Sequence, residues 1–227
     1  MLFFPLLLCF SCTTNKDIDS SEPLPKPVLV EIMLLDAISR DRMNNVHLTS
    51  SLDQQTTDNE GQATILVDEE QQITVEATAS GYMPHHLELY SGRINYSATS
   101  FMASRTAADQ VYSLLSPSIT VASSKGIIIV ALDNPDLSPA IGATASIDSQ
   151  SDDPFVLTAI SANYSNEILP NAAGFVAFPN VTPGETTITV QSPEGSTCVH
   201  HSAGATESAS ITVLADTVHV VFFMCNP

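Results

Sequence analysis

Thr56-Thr57-Asp58-Asn59-Glu60-Gly61-Gln62-Ala63-Thr64-Ile65-Leu66-Val67 is the stretch whose reading decides the fold, and Asn171-Ala172-Ala173-Gly174-Phe175-Val176-Ala177-Phe178-Pro179-Asn180-Val181 echoes it. Each is a polar turn closed by one glycine and followed by alternating apolar residues. Asn and Asp bond their own backbone and Gly accepts positive φ, so the side chains themselves specify a turn. Alternation at period two then marks a half-buried strand, with Ala63, Ile65 and Val67 on one face. The pattern occurs once in each half of the chain, which reads as two copies of one small β-module.

Working outward from the first turn, Val28, Val30, Ile32 and Leu34 alternate as a strand, Asp36 to Asn45 turns, and Val46-His47-Leu48 resumes. Beyond it, Asp68 to Gln72 reads as a charged hairpin loop. Ile73, Val75 and Ala77 form the next strand, and Leu87 and Leu89 mark the last of the module. Residues 93–124 are expected to be a linker. Within it, Ala107, Ala108, Val111, Leu114 and Leu115 fall at helical spacing, and Thr106 with Asp109 resembles a capping box, so a short helix is predicted near 105–115. In the second half, Ile127 to Leu132 shows no alternation, as expected of a strand buried on both faces or central in a sandwich. Strands are also predicted at Gly142–Ile147, Phe155–Ile160, Thr186–Val190, Ser196–His201, Ser210–Leu214 and Val218–Met224. The expected fold is all-β: two tandem Greek-key β-sandwich modules, 28–92 and 125–227, joined by the short helical linker.

Composition limits the function. Apolar residues make up 44% of the 227, enough to fill real cores. Seven Lys and Arg stand against 25 Asp and Glu, a formal net charge of -18. A chain so acidic is repelled by phosphate backbones, so nucleic acid is not an expected partner, and neither is anionic lipid bound through a basic face.

Met1 to Cys12 is apolar and the sequence turns polar at once after it. The run is shorter than the roughly 20 residues needed to cross a bilayer, and it reads as a signal peptide over 1–11. Ser11-Cys12 resembles the lipobox of bacterial lipoproteins, a family in which the cysteine is lipidated and begins the mature chain. The resemblance makes Cys12 the expected lipidation residue. Residues 12–27, with Pro23, Pro25 and Pro27 alternating, would then be an extended tether. The expected location is the cell envelope, anchored by lipid to the outer membrane or cell surface; a cleaved, secreted chain is the alternative.

Both modules also resemble the carboxypeptidase regulatory-like domain, a transthyretin-like Greek-key sandwich. In the first module the resemblance is carried by Val30, Asp36, Asn45-Val46, Thr57-Asp58, Gly61-Gln62-Ala63, Val75 and Ala79-Ser80-Gly81-Tyr82, in the family's order. Asn45 stands where the family usually has Gly. In the second it is carried by Gly142-Ala143, Ala173-Gly174-Phe175 and Phe178-Pro179-Asn180-Val181-Thr182-Pro183-Gly184, with Ser149 to Ala172 inserted. Such domains are generally non-catalytic appendages or surface modules, so the resemblance implies no active site.

The candidate site residues are few. Cys198 and Cys225 lie in adjacent predicted strands of a chain that reads as exported, and a disulfide is expected there, with two buried free thiols as the alternative. His85-His86 and His200-His201 place one histidine pair in each half. Neighbours in a strand point to opposite faces, so ligation would require the pairs to meet across the halves, and exposed strand-end histidines are the expected state. Asp58-Asn59-Glu60-Gly61 and Asp133-Asn134-Pro135-Asp136 offer turn oxygens without the spacing of a calcium loop. No metal and no cofactor is expected. Nucleophile-elbow, zinc-helix and phosphate-loop patterns are missing from the sequence, which reads as non-enzymatic. The expected function is a cell-surface lipoprotein with a structural or binding role, its partner an extracellular protein or glycan. The alternative is a carbohydrate- or calcium-binding accessory module serving a partner enzyme.

Overall fold

The computed structural model describes residues 26–158, 161–200 and 207–226. In chain order they form β1 (Val28–Asp36), β2 (His47–Thr49), β3 (Gln54–Thr56), β4 (Gln62–Val67), β5 (Gln72–Thr78), β6 (His85–Tyr90), β7 (Tyr96–Met102), α1 (Arg105–Ser113), β8 (Gly126–Asp133), β9 (Thr144–Ile147), β10 (Phe155–Leu157), β11 (Ala162–Tyr164), β12 (Phe175–Val181), β13 (Gly184–Gln191), β14 (Thr197–His200), β15 (Ser208–Val213) and β16 (Val218–Asn226). The structure is mostly β, as the alternating pattern predicts, and α1 falls where the helical spacing places it.

The turn at Asp58 is built as its residues dictate. Asp58 Oδ1 accepts the N–H groups of Glu60 and Gln62, both at 2.9 Å, and Gly61 takes φ 71°. The buried Thr57 hydroxyl donates to the Met43 carbonyl at 2.6 Å and accepts the Val46 N–H at 3.0 Å, which ties the turn to the chain entering β2. Asn45 adopts φ 56°; asparagine tolerates the left-handed region, which is why it can replace glycine there. In the echo, the left-handed residue is Asn171 at φ 67°. Gly174 serves a different need, because a Cβ there would collide with the Asp133 carboxylate.

Three sheets result. One small sheet runs β4-β1-β7 and another runs β15-β13-β9. Between them lies a ten-stranded sheet in the order β11-β10-β12-β8-β16-β6-β5-β2-β3, with β14 also on β16. The first small sheet packs on it through Val30, Ile32, Leu34, Ile65 and Val67 against Val75, Leu87 and Leu89. The second packs through Ile188, Ile211 and Val213 against Ile128, Val130, Val176 and Phe223. Residues Ala108, Tyr112 and Leu115 belong to the first core, where the Tyr112 ring meets Phe155 edge-on at 5.5 Å.

Several sequence expectations need correction. The two halves are not merely joined by a helical linker: β16 lies between β6 of the first half and β8 of the second, parallel to both. Residues 93–124 contain more than a linker, since β7 lies there and pairs in parallel with β1. Asp68 to Gln72 is not a hairpin loop, because β4 pairs with β1 while β5, which begins at Gln72, pairs with β2 and β6; the segment crosses from one sheet to another. The helix cap is Ser104, whose hydroxyl accepts the Ala107 N–H at 3.1 Å, rather than Thr106. The unbroken apolar run of β8 does face two cores, with Ile127 in the first and Ile128, Val130 and Leu132 in the second.

Candidate functional site

The seam between the halves brings together the ionisable side chains of greatest interest. Parallel pairing sets His219 beside His86 and Val221 beside Glu88. Side chains alternate along each strand, so Leu87 and Val220 enter the first core while His86, Glu88 and His219 turn to the opposite face. Cross-strand pairing of β5 adds Glu76 beside His86 and Thr74 beside Glu88 on that face. There the sheet meets the edge of β13 and β15 across a cleft of about 370 Å³, lined by Thr74, His86, Glu88, Glu185, Thr212 and Leu214 among others.

Glu88 and His219 are buried, and His86 is half-buried. The Leu214 N–H donates to His219 Nε2 at 3.0 Å. That nitrogen is therefore the acceptor of a neutral ring, and the ring proton sits on Nδ1. Nδ1–H faces Glu88 Oε1 at 3.2 Å, and Thr74 Oγ1 donates to Glu88 Oε2 at 2.7 Å. The His86 ring meets His219 edge-on, with centroids 5.0 Å apart. Burial lowers the His86 pKa, and the carboxylates of Glu88 and Glu76 partly oppose it. The His86, Glu88 and His219 donor atoms all lie within 4.8 Å of one another. The set offers two imidazoles and a carboxylate. It does not offer a free general base at His219 Nε2, which the backbone already occupies.

His85 shows the other consequence of alternation. It faces the first core, fully buried, with Nδ1 2.9 Å from the Met83 carbonyl and Nε2 accepting the Ala103 N–H at 3.2 Å. Burial pushes its pKa down to about 4. His200 is also buried, its ring 5.3 Å from Phe223, so His85 and His200 are not exposed strand-end histidines. His201 lies outside the described residues. The pairs His85-His86 and His200-His201 do not supply the cluster; His86 finds its partner in His219, a histidine the sequence reading does not single out. Its neighbours Val218, Val220 and Val221 mark a strand, and only the parallel register reveals what it meets.

The remaining candidates are placed as follows. Cys198 and Cys225 are register partners on β14 and β16, with their sulfurs 1.98 Å apart. Cys12 and the whole of 1–25 lie outside the described residues. Asp58 Oδ1 is engaged by its own turn, and Asp136 Oδ1 accepts from the Ser138 N–H and hydroxyl. Asp133 is a half-buried carboxyl whose pKa burial raises to about 6. A second cleft of about 500 Å³ has a mixed lining, with Ser146, Gln150, Asp153 and Asn166 beside Ile147 and Phe178. No helix among the described residues is long and apolar enough to cross a membrane.

No protein-family model matches the chain, and no curated protein matches it. Among solved structures it is similar to the Bacillus anthracis TIE protein, at 12% identity and TM-score 0.26 over 88% of this chain and 34% of that one. This chain thus spans about a third of that protein's length. The minor pilin GBS52 of Streptococcus agalactiae matches at 9% identity and TM-score 0.30, over 87% and 95% of the two chains. The shaft pilin SpaA of Lactobacillus rhamnosus GG matches at 11% identity and TM-score 0.25, over 88% and 97%. Identities and TM-scores this low assign no family.

Proposed function

We propose that this chain is a non-enzymatic surface protein of the cell envelope, lipid-anchored through Cys12, whose two carboxypeptidase regulatory-like sandwiches serve a structural or binding role. The observation that carries the reading is the pairing of β14 with β16, which sets Cys198 against Cys225. A covalent clasp there suits an oxidising compartment, and it secures the strand that both halves share. The secretion-type N-terminus and the net charge of -18 agree with a life outside the cytoplasm, facing solutes and proteins rather than nucleic acid. Loops and exposed sheet edges would do the binding.

Intact mass of protein purified from its native host tests this, measured with and without reductant. The expected mature chain starts at Cys12, carries added acyl mass, and gains about two daltons when one disulfide is reduced. An unprocessed chain with four free thiols would refute both the anchor and the clasp. A second reading, a carbohydrate-binding accessory module, is favoured by the open cleft where Gln150, Asp153 and Asn166 stand beside the rings of Tyr164 and Phe178. Retention on a glycan array that is lost in Asp153→Ala is its expected result.

A further inference from the structure

We propose that His86, Glu88 and His219 form a binding site for one divalent cation of the zinc, copper or nickel class, held across the seam between the halves. The inference goes beyond the surface-protein reading and does not depend on where the protein resides. Two ligands bonded at about 2.0–2.1 Å to a tetrahedral ion stand about 3.3 Å apart. His219 Nδ1 and Glu88 Oε1, at 3.2 Å, already have that spacing. His86 completes the set from the mouth of the cleft, where its half-buried ring can swing inward from a position already within 4.8 Å.

The donor chemistry selects the ion. Calcium and magnesium demand six or more oxygens, whereas two imidazoles with one carboxylate suit borderline transition metals. Electrostatics support access: Glu185 lines the same cleft, Glu76 pairs beside His86, and no Lys or Arg is among the lining residues. The outer contacts are those a metal site uses. Thr74 Oγ1 holds Glu88 Oε2, which aims Oε1 at the seam. Coordination by Nδ1 moves the His219 ring proton to Nε2, and the Leu214 N–H then loses its acceptor. Leu214 is therefore a reporter of binding at this atom, and the loss of its hydrogen bond makes the site weaker than a closed structural zinc centre.

The test is a zinc titration of the full chain, disulfide intact, with the thiols of Cys9 and Cys12 alkylated. Thermal unfolding and amide hydrogen exchange are the readouts. Zinc should raise the midpoint where calcium does not, and it should speed exchange at the Leu214 amide. His86→Ala, at a half-buried position, should keep the fold and weaken zinc binding at least tenfold; His47→Ala, on the exposed end of β2, should leave it unchanged. No zinc-dependent shift, or a shift that His86→Ala leaves intact, would overturn the proposal. Tight zinc binding without any change at Leu214 would overturn His219 as a ligand.

Discussion

At the scale of single residues, two glycines of the first half, Gly61 and Gly81, separate two kinds of requirement. Gly61 and Gly81 both sit at positive φ, 71° and 85°. A Cβ at Gly61 would stand 2.9 Å from the Leu34 carbonyl oxygen and 3.0 Å from the Met43 nitrogen, whereas at Gly81 nothing lies within 4 Å. Gly81→Ala should therefore lose only backbone strain, about 1 kcal/mol, and Gly61→Ala should lose about 3 kcal/mol in urea unfolding, since backbone must also move. Equal losses would show that crowding plays no part at Gly61. Two titrating groups, the buried His85 and the half-buried Asp133, make opposite contributions to pH dependence. His85 has a folded pKa of about 4, below its ordinary 6.5. Below pH 6.5 the unfolded chain takes up a proton the fold refuses, so this contribution is full above pH 6.5, falls as pH drops toward 4, and amounts to about 3 kcal/mol. Asp133 is raised from 3.8 to about 6. Between those values the fold keeps a proton the unfolded chain gives up, so its contribution falls as pH rises. Asp133→Asn should be more stable than wild type at pH 7, with the advantage shrinking toward pH 4. An advantage constant with pH would remove Asp133 from the account.

At the scale of elements, the β14–β16 pair is the place to measure covalent stabilisation. Cys198 and Cys225 are 27 residues apart. Closing a loop of that length restricts the unfolded chain by about 3–4 kcal/mol in the chain-entropy account. Replacing both cysteines by serine should lower stability by about that amount in guanidinium unfolding; no change under oxidising conditions would mean that no bond forms. Both strands and their cysteines were legible, because alternation and the exported character of the chain point to them directly. What failed is instructive. Asp68 to Gln72 resembles a hairpin loop in composition, yet β4 and β5 belong to different sheets. A short polar linker specifies a reversal of direction, and whether the next strand pairs or crosses depends on the faces that must be buried. Likewise, β7 reads poorly because Tyr96, Ser97, Thr99 and Ser100 are polar, and its strand is organised by parallel pairing with β1. His219 was invisible for the same reason: a register between strands 131 positions apart leaves no local pattern.

At the scale of the whole molecule, the decisive strand is the last. The sequence reads as two modules that could fold apart, but β16 pairs along Val218–Val221 with β6 and along Val218–Met224 with β8. Its side chains are divided in the same way: Val220 packs in the first core and Val221 in the second. Neither half can bury its own edge without this strand, and removing it would expose unpaired backbone on β6 and β8 together. The two cores should therefore unfold as one cooperative unit, with calorimetric and van't Hoff enthalpies equal. Val220→Ala and Val221→Ala each remove two buried methyl groups, a loss of about 2 kcal/mol. For a domain of this size that is about 4–8 °C in midpoint, and both variants should move the same single transition. The opposite outcome is two transitions, with Val220→Ala shifting one and Val221→Ala the other. It would mean that each sandwich holds its structure without β16, and that tandem independent modules describe the molecule better than one continuous sheet.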